Sequence, residues 1–293
     1  MQRRSIVSKQ FDEERALYHL TDTDVKDCAF AGPADGESAL KEAKDITVSD
    51  CRFSLRYPMW HVKEFSMEHS TMDELTRAAL WYAENGKVTD STLFGIKAVR
   101  ECCHIHLSDC HVNSQEFGWK CDDISVENTD ITSEYLFLDS KNVRLNNVLI
   151  KGKYSFQYME NLEITDSTLD TKDAFWHSKH VTVKNSIIKG EYLGWFSDGL
   201  TLINCKIIGT QPLCYCKNLT LINCTMENCD LSFEYSEVTA DICGHIDSVK
   251  NPKAGIITAD SVGEIIRDNP VMECDGVVVI RQEKSREVIG CQR

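Results

Sequence analysis

One segment of this chain recurs with charged and aromatic side chains in it, and these residue types together suit the recognition of a sugar chain. Residues 172–177 and 191–196 are two of its copies, 19 residues apart. Aromatic rings stack on the apolar faces of pyranose rings, while carboxylates with lysine or arginine bind hydroxyl or uronate groups. Two carboxyl groups on neighbouring copies could serve as the acid and base of a glycoside hydrolase. A lyase would instead use a lysine or arginine as its base, and the sequence leaves the two reactions open.

The candidate site residues come mainly from the central copies of this segment. We predict that Asp173 and Glu191 form an acid and base pair, with Lys172 as their charge partner. Trp176 and Trp195 are predicted to form the platform on which a sugar stacks. The other predicted ligand contacts are Arg77, Glu116, Trp119, Tyr154, His177, Tyr192, Tyr215 and Glu234. We expect no metal and no cofactor, because the cysteines at 102–103 and 214–216 lack a second pair at zinc-site spacing.

A 19-residue repeat positions these side chains. The tryptophans are separated by 21, 38, 57 and 19 residues, multiples of 19 apart from one two-residue slip, and they are Trp60, Trp81, Trp119, Trp176 and Trp195. A fixed short period is typical of a solenoid, in which each repeat is one turn stacked on the last. An apolar anchor recurs every 19 residues, at Ile105, Ile124, Val143, Leu162, Val181, Leu200, Leu219 and Val238. Equivalent residues of successive repeats therefore lie above one another.

The pattern within each repeat predicts an all-β fold, a parallel β-helix. Apolar residues alternate on both sides of an Asn or Asp, which indicates two short strands joined by a tight bend. Asn and Asp suit the bend because they tolerate the left-handed backbone conformation. The segment with the site residues is predicted to be a third strand, and roughly a dozen coils at about 4.8 Å would form a rod about 60 Å long. The expected domains are an N-terminal cap at 1–22, the β-helix at 23–280 and a C-terminal tail at 281–293.

The third strand leaves two interpretations open for its aromatic residues. In the one we prefer, the tryptophans face solvent, because successive side chains of a strand point to opposite sides. The core would then receive the residues before them or at equivalent positions: Leu40, Met59, Leu80, Phe137, Phe156 and Phe175. In the other, the rings form a core ladder and His177 is a structural edge residue. Lys172, Asp173 and Glu191 would then be cross-coil ion pairs.

Composition limits the partners and the compartment. The net charge of −14 disfavours a nucleic-acid backbone or an anionic membrane surface as partner. No apolar run approaches the 18 residues of a membrane span. Among the fourteen cysteines, one column alternates with serine and threonine and is interpreted as core filler, namely Cys28, Cys51, Cys110, Cys205 and Cys224. Many free thiols and no visible secretory signal favour the cytoplasm.

Several motifs resemble a bacterial family of parallel β-helix proteins. They are residues 36–42 (GESALKE), 57–60 (YPMW), 77–82 (RAALWY), 172–176 (KDAFW), 190–195 (GEYLGW), 233–236 (FEYS) and 248–252 (SVKNP). The resemblance covers roughly residues 10–267 and is to right-handed, single-stranded β-helices of the pectate-lyase-like type. It implies the fold and its handedness. The family has no established activity, so the resemblance supplies no catalytic residue.

Two functions remain open from the sequence. The first is a carbohydrate-active protein, lyase or hydrolase, that binds an oligosaccharide along the face with the tryptophans. The second is a non-catalytic binding or scaffold protein, whose aromatic stripe meets a glycan or another protein. A homodimer is also expected to be compatible with this chain, because side-by-side contact would cover part of an exposed aromatic face.

Overall fold

The computed structural model describes residues 3–31 and 36–281. It is an all-β parallel solenoid of about 14 turns, with about 19 residues per turn and no helix among the described residues. The predicted fold class is therefore confirmed, with slightly more coils than the dozen expected. Of the predicted C-terminal tail, only Arg281 is described, and the rest lies outside the described residues.

The first side of the rod is a long parallel sheet, here called sheet 1. Each strand pairs with the equivalent strand of the next coil, so that Ile105 lies beside Ile124 and Leu162 beside Val181. Apolar residues alternate inward from these strands, as the period-2 pattern requires. The strands are Arg4–Val7, Thr21–Lys26, Lys44–Ser49, Lys63–Glu68, Glu84–Thr89, Cys103–Ser108, Asp122–Glu127, Lys141–Asn146, Glu160–Thr165, Lys179–Lys184, Asp198–Ile203, Leu219–Glu227, Glu237–Ile242, Ala254–Ala259 and Val277–Ile280.

The second side, sheet 2, consists of shorter parallel strands. They are Gln10–Phe11, Ala29–Phe30, Arg52–Phe53, Thr71–Met72, Thr92–Phe94, His111–Asn113, Asp130–Glu134, Leu149–Lys153, Thr168–Lys172, Ile187–Lys189 and Lys206–Ile208. Leu219–Glu227 runs through the bend and pairs on both sides, which joins the two sides into one 26-stranded network. Towards the C-terminal end, His245–Lys250 and Ser261–Ile266 form a separate pair.

The bend between sheets 1 and 2 is held by the predicted Asn and Asp column. Asn128, Asn147, Asn185 and Asn204 have φ between 49° and 52°, the left-handed conformation that these residues tolerate. Their side-chain amides also bond along the rod: Asn147 Nδ2 donates to Asn128 Oδ1 at 2.9 Å, and Asn204 Nδ2 to Asn185 Oδ1 at 3.1 Å. The column is a hydrogen-bonded ladder that fixes the same bend in successive coils.

The third side differs from the strand that we expected. Only Leu80–Trp81 and Val99–Arg100 form strands there, and in the other coils the segment is a run of turns. Every second residue takes a left-handed conformation, as Asp173, Phe175 and His177 do with φ of 55°, 62° and 54°. The coils still bond to one another, since the N–H of Asp173 donates to the carbonyl of Glu191 at 2.9 Å. The alternating polar and apolar pattern arises here from alternating backbone conformations rather than from an extended strand.

The side chains that point inward on the third side are those of our preferred interpretation. Leu40, Met59, Leu80, Phe137, Phe156 and Phe175 are all fully buried. The five tryptophans, each one position after this column, are partly exposed. The buried rings stack from coil to coil, with centroids 5.2 Å apart for Phe156 and Phe175. The preferred orientation of the third side is therefore confirmed.

Cysteine contributes to the core as expected. Cys28, Cys51, Cys110, Cys205 and Cys224 are buried just after the bend, and several thiols face backbone carbonyls, such as Cys110 Sγ and the carbonyl of Ser108 at 3.2 Å. Serine and threonine at equivalent positions also bond to the backbone, such as Ser186 Oγ to the carbonyl of Lys184 at 2.7 Å. A small polar side chain fits this position because it can satisfy a carbonyl at the bend.

The N-terminal residues already belong to the solenoid. Arg4–Val7 pairs in parallel with Thr21–Lys26, and the ring of Phe11 stacks on Phe30 at 5.0 Å. The segment that we expected as a cap thus contributes strands to the first coil. The part of the chain that the structure describes contains no helix able to cross a lipid bilayer.

Candidate functional site

The third side carries two columns of rings that run along the rod. The inner column holds the tryptophans, and we call it the tryptophan column. The residue after each tryptophan points further outward, and in the C-terminal half these positions form a continuous stack that we call the outer ladder. Its members are Tyr158, His177, Phe196, Tyr215 and Tyr235.

Trp176 and Trp195 stack on each other almost in parallel. Their ring centroids lie 5.5 Å apart with an angle of 5° between the planes. Each indole N–H donates to a backbone carbonyl of the next coil, Trp176 to Tyr192 at 2.7 Å and Trp195 to Gln211 at 2.8 Å. The two faces that the rings share are closed to a ligand. The predicted platform therefore offers its edges and outer rims, and the indoles also brace the turns of the third side.

Trp119 is built in the same way but has cations as neighbours. Its indole N–H donates to the carbonyl of Tyr135 at 2.7 Å. The guanidinium of Arg100 lies between two indoles, 5.8 Å from the ring of Trp81 and 5.6 Å from that of Trp119. Glu116 pairs with Lys97, whose ammonium lies 3.1 Å from the carboxylate. These contacts make the N-terminal half of the tryptophan column a mixed stack of indoles and cations.

The three predicted acid and base residues come together between two neighbouring coils. Lys172 Nζ lies 2.7 Å from Glu191 Oε2, and both side chains are about half exposed. The same ammonium lies 5.1 Å from the ring centroid of Tyr192. Asp173 is bonded through its backbone to Glu191 and is only 5% exposed. Sequence spacing had placed these residues together correctly, and it gave no sign that Asp173 is buried.

The electrostatics of this cluster separate its two carboxyl groups. Burial raises the pKa of Asp173, with a smaller contribution from the negative charge of Glu191 and an opposing one from Lys172. The bond to Glu191 raises the pKa of Lys172 and keeps it charged. A carboxyl with a raised pKa is suited to giving up a proton, while a paired carboxylate stays ionised. The small exposed fraction of Asp173 limits how much of it a ligand can reach.

The outer ladder is the most exposed aromatic feature of this side. His177 stacks between Tyr158 and Phe196, with centroid distances of 5.1 Å and 4.9 Å and plane angles of 6°. Tyr215 continues the stack, 4.8 Å from Phe196. Tyr158 is 56% exposed and Phe196 43% exposed. Sequence reasoning assigned His177 and Tyr215 to the site but omitted Tyr158, Phe196 and Tyr235, although the 19-residue spacing places all five in one column.

The remaining predicted residues lie around this centre or beyond it. Tyr154 stacks on Tyr135 at 4.8 Å, and Glu234 pairs with Lys250 at 2.9 Å. Burial raises the pKa of Tyr215, next to Glu234. The structure therefore brings together the predicted residues from Tyr154 to Glu234. Arg77 is exposed several coils nearer the N-terminus and does not join this cluster, and Trp119 and Glu116 lie between.

The site is an open surface. Cavities of about 400 and 370 Å³ lie at the corners of the first coils, one beside Asp27 and Arg52 and the other beside His19 and Lys63. Neither contains a predicted site residue. In the described ranges, no three His, Cys, Asp or Glu side chains are grouped closely enough to hold a metal ion.

Comparisons with known proteins give a family and a general architecture. The family model described as "Protein of unknown function (DUF3737)" matches residues 4–280. The resemblance to a family without an established activity is thus confirmed. No curated protein sequence matches the chain.

Solved structures with a similar backbone are remote in sequence. A surface adhesin of Streptococcus pneumoniae has a TM-score of 0.41 and 9% identity, over 81% of this chain and 82% of that one. The A-module of a mannuronan C-5 epimerase from Azotobacter vinelandii gives 0.36 and 8%, over 75% and 81%. A mannuronic acid specific polysaccharide family 6 lyase from human gut microbiota gives 0.34 and 6%, over 98% and 83%. With TM-scores below 0.5, these likenesses say nothing about what this chain binds.

Proposed function

The chain belongs to the DUF3737 family, proteins of unknown function, and we propose that it binds an oligosaccharide along its third side. The observation that carries this proposal is the outer ladder. Five rings stack on the surface over five coils, and Tyr158 and Phe196 expose about half of their area. Such a stripe of exposed apolar surface is typical of an interaction site.

The groups beside the outer ladder favour a polyhydroxylated ligand. Lys172 and Glu191 stand exposed next to Tyr192, and Glu234 with Lys250 lies beside Tyr215 and Tyr235. A sugar has apolar C–H faces and hydroxyl groups on its rim, so it uses ring surface and charged hydrogen-bonding groups at short range. The third side offers both within neighbouring coils.

We extend the proposal to chemistry at the same place, where Asp173 would act as the acid and Glu191 as the base. The raised pKa of Asp173 supports the first role, because a proton held near neutral pH can be given to a leaving oxygen. Glu191 would have to exchange Lys172 for water or a substrate hydroxyl before it could accept a proton. The hydrolase and lyase reactions stay open.

A second candidate is a non-catalytic scaffold, and the bracing of the tryptophans favours it. Trp119, Trp176 and Trp195 all donate their indole N–H to a carbonyl 16 residues further along. Such a repeated bond explains tryptophan in this column by stability alone. A protein partner would then meet the outer ladder instead of a glycan.

Binding of neutral and acidic oligosaccharides to the purified protein tests the proposal, by thermal shift and then by calorimetry. A ligand at a hundred times its dissociation constant stabilises the folded state by about 2.7 kcal/mol, a shift of several degrees. The double variant Tyr158→Ala/Phe196→Ala should bind at least about tenfold more weakly, through the loss of about 1.4 kcal/mol. Tyr18→Ala is the matched control, since Tyr18 is a similarly exposed ring away from this ladder.

Two outcomes would reject this proposal. One is that no oligosaccharide in the panel shifts the unfolding of the wild-type protein. The other is that a ligand binds the double variant as tightly as the wild type, which would place the binding surface elsewhere.

A further inference from the structure

We infer that the sugar stacks on the open face of Tyr158, at the end of the outer ladder, and that the glycan crosses the rod instead of following its axis. This inference rests on the proposed function, because it names the subsite and the class of ligand for the same surface. The subsite consists of Tyr158, Asp139 and Lys120, which occupy the same position in three successive coils.

Rings inside the outer ladder have no free face. Tyr158, His177, Phe196 and Tyr215 follow one another at 5.1, 4.9 and 4.8 Å, with planes within 13° of parallel. A sugar between two rings would need about 7–8 Å, twice the optimal carbon–carbon separation. The spacing equals that of the coils, so the ring planes stand across the rod axis. Only a ring at an end of the ladder can therefore present a face to a sugar.

The two ends of the ladder differ. At the C-terminal end, Tyr235 is tilted by 38° from Tyr215, and its hydroxyl oxygen accepts a bond from the N–H of Val271 at 3.3 Å. At the other end, Tyr158 makes a single ring contact within the described chain, with His177. Its exposed fraction of 56% is the largest of the exposed rings. The open end is thus the face of Tyr158 that points away from His177.

The layer above that face is open and carries unused polar groups. Asp139 precedes Tyr158 in the column, and its side chain is too short to cover a phenol ring. Lys120 occupies the next layer. Both residues are exposed, and neither side chain has a bonding partner among the described residues.

This lack of partners is unusual on this rod. Other charges in adjacent coils pair, as Lys153 does with Glu134 at 3.2 Å and Lys189 with Asp170 at 3.0 Å. A carboxylate and an ammonium beside a free ring can accept from and donate to the hydroxyls of a stacked sugar.

Geometry and charge together define the ligand. A pyranose stacked on Tyr158 lies parallel to its ring, so its plane also stands across the rod axis. Sugars linked to it extend in that plane, over the width of the third side. That width admits a short oligosaccharide and excludes lengthwise binding of a polymer. The net charge of −14 repels polyanionic glycans, which leaves a neutral oligosaccharide as the ligand.

The deciding variant is Asp139→Tyr, which extends the outer ladder by one ring. This column already holds rings in the left-handed conformation, with φ of 56° at Tyr158 and 54° at His177, and Asp139 has φ of 54°. The new ring should cover the open face while the fold is kept. Calorimetry with neutral di-, tri- and hexasaccharides should show at least about tenfold weaker binding than wild type, a loss of 1.4 kcal/mol. Affinity should also stop rising with length after the first few sugars.

Two further variants keep the test independent of how Asp139→Tyr folds. Tyr158→Ala removes the platform and should weaken binding about three- to tenfold, the range expected for one aromatic contact. Phe196→Tyr is the matched control, because both faces of that ring stay covered and affinity should not change. If the wild type binds a neutral oligosaccharide and both Asp139→Tyr and Tyr158→Ala bind it equally well, this subsite is wrong while the proposed function stands. If the wild type binds no glycan, the proposed function fails as well.

Discussion

At the scale of single residues, Asp173 is the group whose behaviour departs most from its sequence context. It lies one position after an exposed lysine and two positions before a buried phenylalanine, and it is itself buried. Its φ of 55° places it in the left-handed region, where Asp is tolerated. The raised pKa that results from burial makes this residue measurable by stability as well as by activity.

We predict that Asp173→Asn stabilises the protein at neutral pH and that this gain disappears in acid. A carboxyl whose pKa is raised above its ordinary 3.8 favours the folded state below that value. Its contribution is lost as the pH rises through the folded pKa. Asn keeps the backbone conformation and carries no charge, so it avoids that loss. Thermal unfolding of variant and wild type should therefore differ at pH 7 and converge near pH 3.5.

The exposed Asp139→Asn is the control for removing one negative charge from an acidic chain. Its difference from the wild type should stay small, within about 0.5 kcal/mol, as for surface substitutions in general. An Asp173→Asn difference that is the same at pH 7 and pH 3.5 would contradict the assigned cause of the pKa shift.

At the scale of elements, the third side is a stack of turns that the tryptophan column holds in register. Each indole closes a bond to the next coil and packs on its neighbour. The outer ladder packs on the same turns but leaves its rings half exposed. Stability and recognition are thus divided between adjacent columns of one element.

This division predicts different costs for truncation in the two columns. Trp176→Ala should destabilise the protein by about 3 kcal/mol, because it removes a large packed ring. Trp176→Phe keeps a ring and loses the bond to Tyr192, at a cost of about 1 kcal/mol. Tyr158→Ala should cost less than about 1 kcal/mol, as expected for an exposed side chain. Urea unfolding measures all three, and equal costs for Trp176→Ala and Tyr158→Ala would show that the tryptophans do not brace the turns.

At the scale of the whole molecule, the rod has one continuous core in which thiols replace larger side chains. Ten of the thirteen described cysteines are buried, while Cys103, Cys243 and Cys274 are partly exposed. Burial raises the pKa of Cys51 to about 12, of Cys229 to about 12 and of Cys216 to about 11. At pH 8 these groups are almost entirely thiols, which react slowly.

Thiol titration should therefore proceed in two phases. In denaturant and without reductant, all fourteen cysteines should react as free thiols. In the native protein at pH 8, the three partly exposed cysteines should react quickly and the ten buried ones only as the rod unfolds. Rapid native reaction of most thiols would contradict the continuous core, and disulfides recovered from fresh protein would contradict the free state of the column.

Much of this structure could be predicted from spacing. The 19-residue period identifies which residues share a column, so Asn185 beside Asn204 and Trp176 beside Trp195 follow from counting. Alternation placed Phe175 inside and Trp176 outside, and the meeting of Lys172, Asp173 and Glu191 followed from the same arithmetic. A solenoid allows this because each coil contacts only its neighbours, which reduces the fold to one dimension.

The open and closed surfaces of the third side could not be predicted in this way. Asp173 and His177 are each two residues from Phe175, yet one is buried and the other exposed. Strand parity fails there because alternating left-handed residues curve the backbone, and side chains of like parity no longer point the same way.

The sequence by itself determined the period, the columns and the residues that meet across coils, because equal spacing forces equivalent residues into contact. Only the tertiary structure decided which faces of those residues remain free. The tilt of a ring, the pairing of Lys172 with Glu191 and the open face of Tyr158 depend on side-chain rotamers and on backbone angles at the corners of the rod. Repeat spacing does not encode these angles, and they are settled by packing between neighbouring coils.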